Sequence, residues 1–171
     1  SPATRRADLE YYAKRTDANG PAMTWGMHAV GRLELGDTDG ASADFNRSFA
    51  NAQKPFYVWT ETPSGGAVNF LTGAGGFLQA VAFGLPGIRI WPDHLALKPS
   101  LLEGMTSVSL RGLRYQGSVF RLSYDAERMT VLCESGRPLS LRSASGVSAT
   151  LPPGGSVALP RGRAELRASR A

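Results

Sequence analysis

Apolar residues recur at helical spacing in four short segments of the first half of the chain. In the second segment, Met23, Met27 and Val30 share one face, and Gly36 follows as a helix stop. Glycines and other small residues occur in several segments, so these helices alone would make a poor core. The pattern therefore indicates one sector of a larger all-α assembly. The predicted helices cover residues 7–14, a segment that begins after 21 and stops at 36, about 40–50, and 71–84.

No strand is predicted in this half. Pro55 disfavours helical backbone at the residue before it, and about twenty residues between the third and fourth helices form an irregular connection. A loop of that length is unusual inside a compact domain unless it has a function.

The period of the apolar pattern changes to two after Pro86. Eight short alternating runs follow, bounded by Gly, Pro, Ser and Asp, and this pattern predicts an antiparallel β-sandwich. From Arg161 onward we expect a final edge strand and then a basic tail. The chain is thus predicted to be an α+β fragment with domains at 1–86 and 87–171. The predicted strands are 87–91, 95–98, 106–115, 118–125, 129–134, 139–144, 147–151 and 156–160.

The charge distribution argues against nucleic-acid binding. The net charge is +5, but residues 1–86 hold seven Lys/Arg and eight Asp/Glu, whereas residues 87–171 hold twelve and six. Several arginines of the second half alternate with apolar residues, as on the solvated face of a sheet, and form no cluster with stacking aromatics. They include Arg111, Arg114, Arg121 and Arg142.

The composition also limits cofactors and compartments. The single Cys133 excludes an internal disulfide, and one Cys with two His far apart in sequence makes no zinc set. No apolar stretch approaches the ~20 residues that span a bilayer, and a basic-then-apolar leader is either absent or trimmed away. We therefore expect no cofactor or metal, no nucleic-acid or membrane partner, and a soluble protein, cytoplasmic rather than secreted.

The segment 55–76, PFYVWTETPSGGAVNFLTGAGG, carries the candidate chemistry. Glu61 is the only carboxylate between Asp44 and Asp93, so acid–base chemistry in this stretch falls to it. A carboxylate partly buried in an aromatic-walled cleft holds a proton more tightly than an exposed one and makes a better base. The alternative is a solvated loop glutamate, which residue type alone favours.

Two neighbouring features have both a functional and a structural interpretation. Glycines at the start of the fourth helix let backbone approach a ligand, yet Gly75 and Gly76 equally suit close helix packing. A nucleotide loop is excluded, because no Gly-Lys-Ser/Thr follows. Trp25 and His28 form either a sugar platform with a hydrogen-bond donor or a pair of core residues.

The stretch from Gly20 to Gly84 resembles the terminal section of the catalytic domain of glycoside hydrolase family 65. The similarity is to the branch of kojibiose hydrolases, acid trehalases and collagen glucosyl-galactosyl-hydroxylysine glucosidases. The strand-rich half fits the small C-terminal β domain of such enzymes. The matching blocks are 21–30 (PAMTWGMHAV), 45–51 (FNRSFAN), 55–56 (PF), 58–61 (VWTE), 69–76 (NFLTGAGG) and 77–81 (FLQAV).

The resemblance implies that residues 1–86 are the last helices of an (α/α)6 barrel in an inverting glycosidase. Inverting enzymes place two carboxylates roughly 6.5–9.5 Å apart, with a water between acid and base. Glu61 matches the family's general base, and the general acid would lie N-terminal to Ser1. The residues implied to bind substrate or orient Glu61 and its water are Trp59, Thr60, Asn69, Gln79, Trp25 and His28.

The resemblance implies a small carbohydrate as substrate. It also implies that this chain works together with the missing N-terminal part of the same catalytic domain. Two alternatives stay open: a disaccharide phosphorylase of the same family, and a non-catalytic carbohydrate-binding or interaction module. The module would need a surface line of aromatics, for which the candidates are Trp91, Tyr115, Phe120 and Tyr124.

The fragment interpretation has two consequences. The isolated chain should be inactive, because one carboxylate cannot also protonate the leaving oxygen. Its helical half should expose an apolar face where barrel partners are absent. The residues expected on that face or in the small residual core are Met23, Met27, Phe45, Phe49 and Leu78.

Overall fold

The computed structural model describes residues 1–169, which form two compact units divided between Leu85 and Pro86. The first unit contains four helices and a small antiparallel sheet of three strands in the order β1-β2-β3. Its elements are α1 (Pro2–Ala13), α2 (Thr24–Leu35), α3 (Thr38–Ser48), β1 (Ala52–Gln53), β2 (Val58–Thr62), β3 (Gly65–Val68) and α4 (Leu71–Gln79).

The turn between α2 and α3 follows from its sequence. Gly36 takes a left-handed conformation with φ 79°, and Asp37 caps α3 by accepting a hydrogen bond from the Gly40 N–H at 3.0 Å. Arg32 then joins the two helices, since its guanidinium reaches Asp37 at 2.7 Å and Asp44 at 2.6 Å. Its hydrogen bond also lowers the pKa of Asp37.

The prediction that this half lacks strands is wrong. The connection between α3 and α4 is a three-stranded meander, with Pro63 and Ser64 at the turn between β2 and β3. Val58, Trp59 and Thr60 are residue types that favour strands. Their partner β3 is Gly-Gly-Ala-Val, which has no apolar alternation, so the periodicity gives no sign of a hairpin.

The fourth helical segment ends at Gly84, as predicted, but its last turn is not α-helical. After Gln79 the chain continues as a π-helical turn, Ala80–Gly84. Turns of this type are rare and occur often beside functional sites.

Much of the expected apolar face is exposed. Met23, Met27 and Phe49 are each more than a third exposed and Leu78 is 63% exposed, whereas Phe45 is buried. The helical unit therefore leaves several large apolar side chains uncovered, as expected for the predicted apolar face.

The second unit is an antiparallel β-sandwich, as predicted. A five-stranded sheet in the order β10-β9-β12-β5-β4 packs on a four-stranded sheet in the order β11-β8-β7-β6, around one apolar core. Its strands are β4 (Arg89–Ile90), β5 (Leu95–Leu97), β6 (Ser107–Tyr115), β7 (Ser118–Asp125), β8 (Arg128–Gly136), β9 (Leu139–Ser143), β10 (Ser148–Leu151), β11 (Ser156–Pro160) and β12 (Ala164–Ala168).

The position predicted for the last strand is wrong. Strand β12 pairs with β9 on one side and β5 on the other, so it is the central strand of its sheet and not an edge strand. Ala164 and Leu166 are buried in the core, which explains why this arginine-flanked segment is not a solvated tail. Arg170 and Ala171, the end of the predicted basic tail, lie outside the described residues.

Candidate active site

Glu61 lies in β2 at an irregularity in the β2–β3 pairing. Thr60 pairs with Val68 and Thr62 pairs with Gly65, so Glu61 alone stands opposite two residues of β3. A bulge of this kind twists the ladder and redirects a side chain, and such bulges are frequent beside active sites.

Glu61 is half-buried, and its carboxylate folds back over the hairpin. Its Oε2 accepts a hydrogen bond from the Ala67 N–H at 3.2 Å. Gly66 makes this possible, because a Cβ at that position would stand 2.9 Å from Oε2. Within residues 1–169 no Arg or Lys forms an ion pair with Glu61, and Arg47 instead stacks its guanidinium on the Trp25 ring.

Two hydrogen bonds from other segments of the same unit fix the backbone at Glu61. The Glu61 carbonyl accepts hydrogen bonds from the Ala22 N–H at 2.9 Å and from Nδ2 of Asn51 at 3.1 Å. The buried Asn51 also accepts the Thr60 N–H on its own carbonyl at 3.1 Å. In the sequence, Asn51 falls in the 45–51 block that resembles the family, but it was given no role there.

Thr60 and Trp59, which precede Glu61 on β2, are held by different contacts: Thr60 by hydrogen bonds and Trp59 by aromatic packing. The buried Thr60 hydroxyl donates to the Thr62 carbonyl at 2.9 Å and lies 3.2 Å from the Asn51 carbonyl oxygen. It also accepts a hydrogen bond from Nε2 of Gln53 at 3.2 Å. The Trp59 ring contacts Phe77 of α4, with centroids 5.9 Å apart, and Phe77 in turn stacks on Phe45 at 5.3 Å. An aromatic cluster therefore fixes the strand that carries Glu61.

Asn69 and Gln79 are exposed, unlike Thr60. Asn69 has φ 53° and directly precedes α4, where the Phe70 N–H donates to the Trp59 carbonyl at 2.9 Å. Gln79 is the last residue of α4. Both polar side chains are accessible to a ligand.

Trp25 and His28 are buried within the helical unit, with ring centroids 5.6 Å apart in an edge-to-face arrangement. This is the core arrangement that the sequence left open for them. Burial lowers the pKa of His28, although the nearby Asp44 opposes that change and Arg32 adds to it. His28 is therefore a neutral core residue near pH 7.

The glycines of α4 divide between packing and open space. A Cβ on Gly73 would lie 3.1 Å from both the Ala22 carbonyl oxygen and Trp59 Nε1. A Cβ on Gly26 of α2 would lie 3.2 Å from the Gly76 carbonyl oxygen, so Gly26 and Gly76 allow α2 and α4 to approach closely. Gly75 has nothing within 4 Å of the position a Cβ would take. Close packing thus accounts for Gly73 and Gly76, and Gly75 faces free space.

The arrangement supports one acid–base role. Oε2 of Glu61 accepts the hydrogen bond from the Ala67 N–H, and the second carboxylate oxygen can accept a proton from water. Among residues 1–169, no three His, Cys, Asp or Glu side chains are grouped as metal ligands. In the same range, none of the helices combines the length and apolarity that a membrane span requires.

Comparisons with known proteins relate both units to carbohydrate-active enzymes. Residues 88–145 match the model of "Glycosyl hydrolase family 65, C-terminal domain". The chain is 44% identical, over 94% of its length, to a protein-glucosylgalactosylhydroxylysine glucosidase of Danio rerio, of which it covers 26%. It is 34% identical, over 66% of its length, to a kojibiose hydrolase of Mucilaginibacter mallensis, of which it covers 17%.

The fold is also found in a solved structure. A putative kojibiose phosphorylase from the human microbiome matches 94% of this chain with a TM-score of 0.71 and 14% identity, over 21% of its own length. The chain therefore spans about a quarter or less of the proteins that it matches.

Proposed function

Because the chain belongs to glycoside hydrolase family 65, we propose that it is the C-terminal part of an inverting α-glucoside hydrolase whose general base is Glu61. One observation carries the proposal. A carboxylate without an ionic partner in the described residues is held on a bulged strand, in a chain that resembles a named glucosidase over nearly its whole length. The helical unit is then the last sector of an (α/α)6 barrel that the preceding residues complete.

In this mechanism Glu61 activates water. Its free oxygen takes a proton from a water molecule as the water oxygen attacks the anomeric carbon, on the face opposite the leaving group. A carboxylic acid from the preceding part of the protein protonates the departing glycosidic oxygen. The Ala67 N–H holds the other Glu61 oxygen throughout, so the base keeps its orientation.

The surrounding residues have two kinds of role in this proposal. Asn69 and Gln79 are accessible and would contact the sugar or the water, and Trp59 would wall the site. Thr60 would act on Glu61 through the strand, since its hydroxyl is bonded to backbone. Trp25 and His28 would support the site by packing, because both are buried.

The proposed substrate is a glucosyl disaccharide unit, following the names of the relatives: glucosylgalactosylhydroxylysine glucosidase, kojibiose hydrolase and acid trehalase. No cofactor is required by this chemistry. We also propose a cytoplasmic location. Fractionation of cells that express the full-length protein would test that location.

Product analysis tests the reaction class. The full-length protein should be incubated with kojibiose, trehalose and glucosylgalactose, with and without inorganic phosphate, and the first product followed by proton NMR. We expect free β-glucose from at least one of these α-linked sugars, at a rate that phosphate does not change. Glucose phosphate as product would establish the phosphorylase alternative. With glucosylgalactose, in which the transferred unit is the only glucose, α-glucose as first product would exclude inversion; with trehalose and kojibiose the leaving glucose also supplies α-glucose, so only the β-glucose of the transferred unit is diagnostic.

A further inference from the structure

The sandwich exposes one large aromatic side chain on a rigid support. Trp91 follows β4 and is 53% exposed, and its ring is stacked on the imidazole of His94 with planes 12° apart and centroids 5.9 Å apart. The backbone N–H of Trp91 also donates to the His94 carbonyl at 2.9 Å, and this hydrogen bond closes the hairpin between β4 and β5. The other aromatic candidates of this unit, Tyr115, Phe120 and Tyr124, are buried in the core.

A chain of polar contacts fixes the imidazole beneath Trp91. Nδ1 of His94 lies 2.8 Å from Oδ1 of Asp93, and Oδ2 of Asp93 lies 3.2 Å from Nη2 of Arg167 on β12. Nη1 of Arg167 in turn lies 2.9 Å from Oε2 of Glu165. Hydrogen bonds from His94 and then Arg167 lower the pKa of Asp93, so the Asp93 carboxylate is ionised near pH 7.

Arg167 also lines a depression of about 410 Å³ on the outer face of the five-stranded sheet. The strand pairing explains this lining: Ser140 of β9 stands opposite both Arg167 and Thr150, whereas Arg142 stands opposite Glu165 and Ser148. The intervening residues Leu139, Leu141 and Leu166 point into the core. The depression is lined by Ser140, Leu141, Arg142, Ser148, Ala149, Thr150 and Arg167.

The chemistry of this face suits a sugar chain. The C–H groups of a pyranose ring pack on the electron-rich face of an indole. Its hydroxyls both donate and accept, as do the Ser and Thr hydroxyls, and the guanidiniums add donors. Asp93 and Glu165 place negative charge among the arginines, which disfavours a polyphosphate.

We propose that the outer face of the five-stranded sheet is a second carbohydrate-binding site, with Trp91 as the stacking platform and the depression around Arg142 and Arg167 as its polar part. Trp91 follows β4, and β4, β5, β12 and β9 are successive neighbours about 4.8 Å apart, so Arg142 on β9 lies roughly 14 Å across the sheet from the strand that carries Trp91. The ligand is therefore an oligosaccharide or polysaccharide rather than a single sugar. This site is independent of Glu61.

Affinity electrophoresis of the full-length protein tests the proposal. Native gels would contain soluble dextran, glycogen or a collagen-derived glucosylgalactosyl glycopeptide, and migration would be compared with a gel without glycan. We expect retardation by at least one glycan. Trp91→Ala and, separately, Arg142→Ala should weaken binding about tenfold, the order of one lost aromatic contact, and Trp91→Phe should retain part of it.

Ile90→Ala is the matched control. Ile90 is adjacent and 71% exposed, so its loss removes apolar surface but no stacking platform, and retardation should be unchanged. Hydrolysis of a soluble disaccharide should be normal in Trp91→Ala, which separates this site from the catalytic one. The proposal would be overturned if none of the three glycans retarded the wild type. It would also be overturned if the wild type and Trp91→Ala were retarded equally.

Discussion

At the residue scale, Gly66 sets the position of the Glu61 carboxylate. Gly66 has φ 82°, and a Cβ there would stand 2.9 Å from Oε2 of Glu61. Gly66→Ala in the full-length enzyme should cost about 1–2 kcal/mol of unfolding free energy from backbone strain. It should also lower kcat by about tenfold or more, because the base is displaced.

Gly36→Ala separates these two effects. Gly36 has nearly the same φ, 79°, but no atom lies within 4 Å of the Cβ position. The two variants should lose similar stability in urea unfolding, and only Gly66→Ala should lose activity. Equal kcat values for the two would show that Gly66 does not position Glu61.

The residues of the candidate site were unequally predictable. Glu61 could be chosen from the sequence because it is the only carboxylate in a long stretch and lies in a block that resembles a known family. Asn51 could not, since its contact with the Glu61 carbonyl depends on a sheet that the apolar pattern does not indicate. Trp25 and His28 were ambiguous because an aromatic–imidazole pair has the same sequence signature in a core and in a cleft.

At the element scale, the central position of β12 predicts a large difference between two aliphatic truncations. Leu166 on β12 is fully buried, at 0% exposure, whereas Ile90 on the edge strand β4 is 71% exposed. Leu166→Ala should lower the unfolding free energy by about 2–5 kcal/mol, and Ile90→Ala should change it by about 0.5 kcal/mol or less. Urea unfolding followed by circular dichroism measures both. Similar values for the two variants would contradict a central β12.

Strand prediction succeeded and failed for one physical reason. The strands of the sandwich have one buried and one solvated face, so their residues alternate along the sequence. Strands β1 to β3 form a small sheet whose burial does not alternate, and backbone pairing and the Asn51 and Thr60 contacts stabilise it instead. Position within a sheet is not encoded by alternation, and β12 was therefore misplaced at an edge.

Helix α2 should make stability depend on pH through His28. The pKa of His28 is lowered in the folded protein below its ordinary value of 6.5, so the unfolded chain binds the proton more readily. Stability should therefore be full above pH 6.5 and decrease as the pH falls from about 6.5 toward the folded pKa. The lowered pKa of Asp37 acts only below pH ~4, outside this window.

Urea unfolding at pH 7.5 and pH 5 measures this effect. His28→Phe keeps an aromatic ring in the core without a titrating nitrogen, so its stability should change less between the two pH values than that of the wild type. An equal pH dependence in both proteins would show that His28 does not couple protonation to folding.

At the scale of the whole molecule, the exposed apolar face and the single candidate carboxylate agree with the proposal that this chain is part of a larger catalytic domain. The chain covers 26% of the length of its Danio rerio relative. Residues 1–171 alone should therefore release no glucose from kojibiose, trehalose or glucosylgalactose in a coupled glucose assay. Measurable hydrolysis by this polypeptide, lost on Glu61→Gln, would mean that the general acid lies within it.

The most direct test of the account is the kcat of Glu61→Gln in the full-length enzyme, with Glu10→Gln on the exposed surface of α1 as control. The amide keeps the shape of the side chain but cannot accept a proton from water. We predict a kcat lower by ~10²–10⁴-fold with KM little changed, and wild-type kinetics for the control. A kcat for Glu61→Gln within a few-fold of the wild type would contradict the assignment of Glu61 as the base.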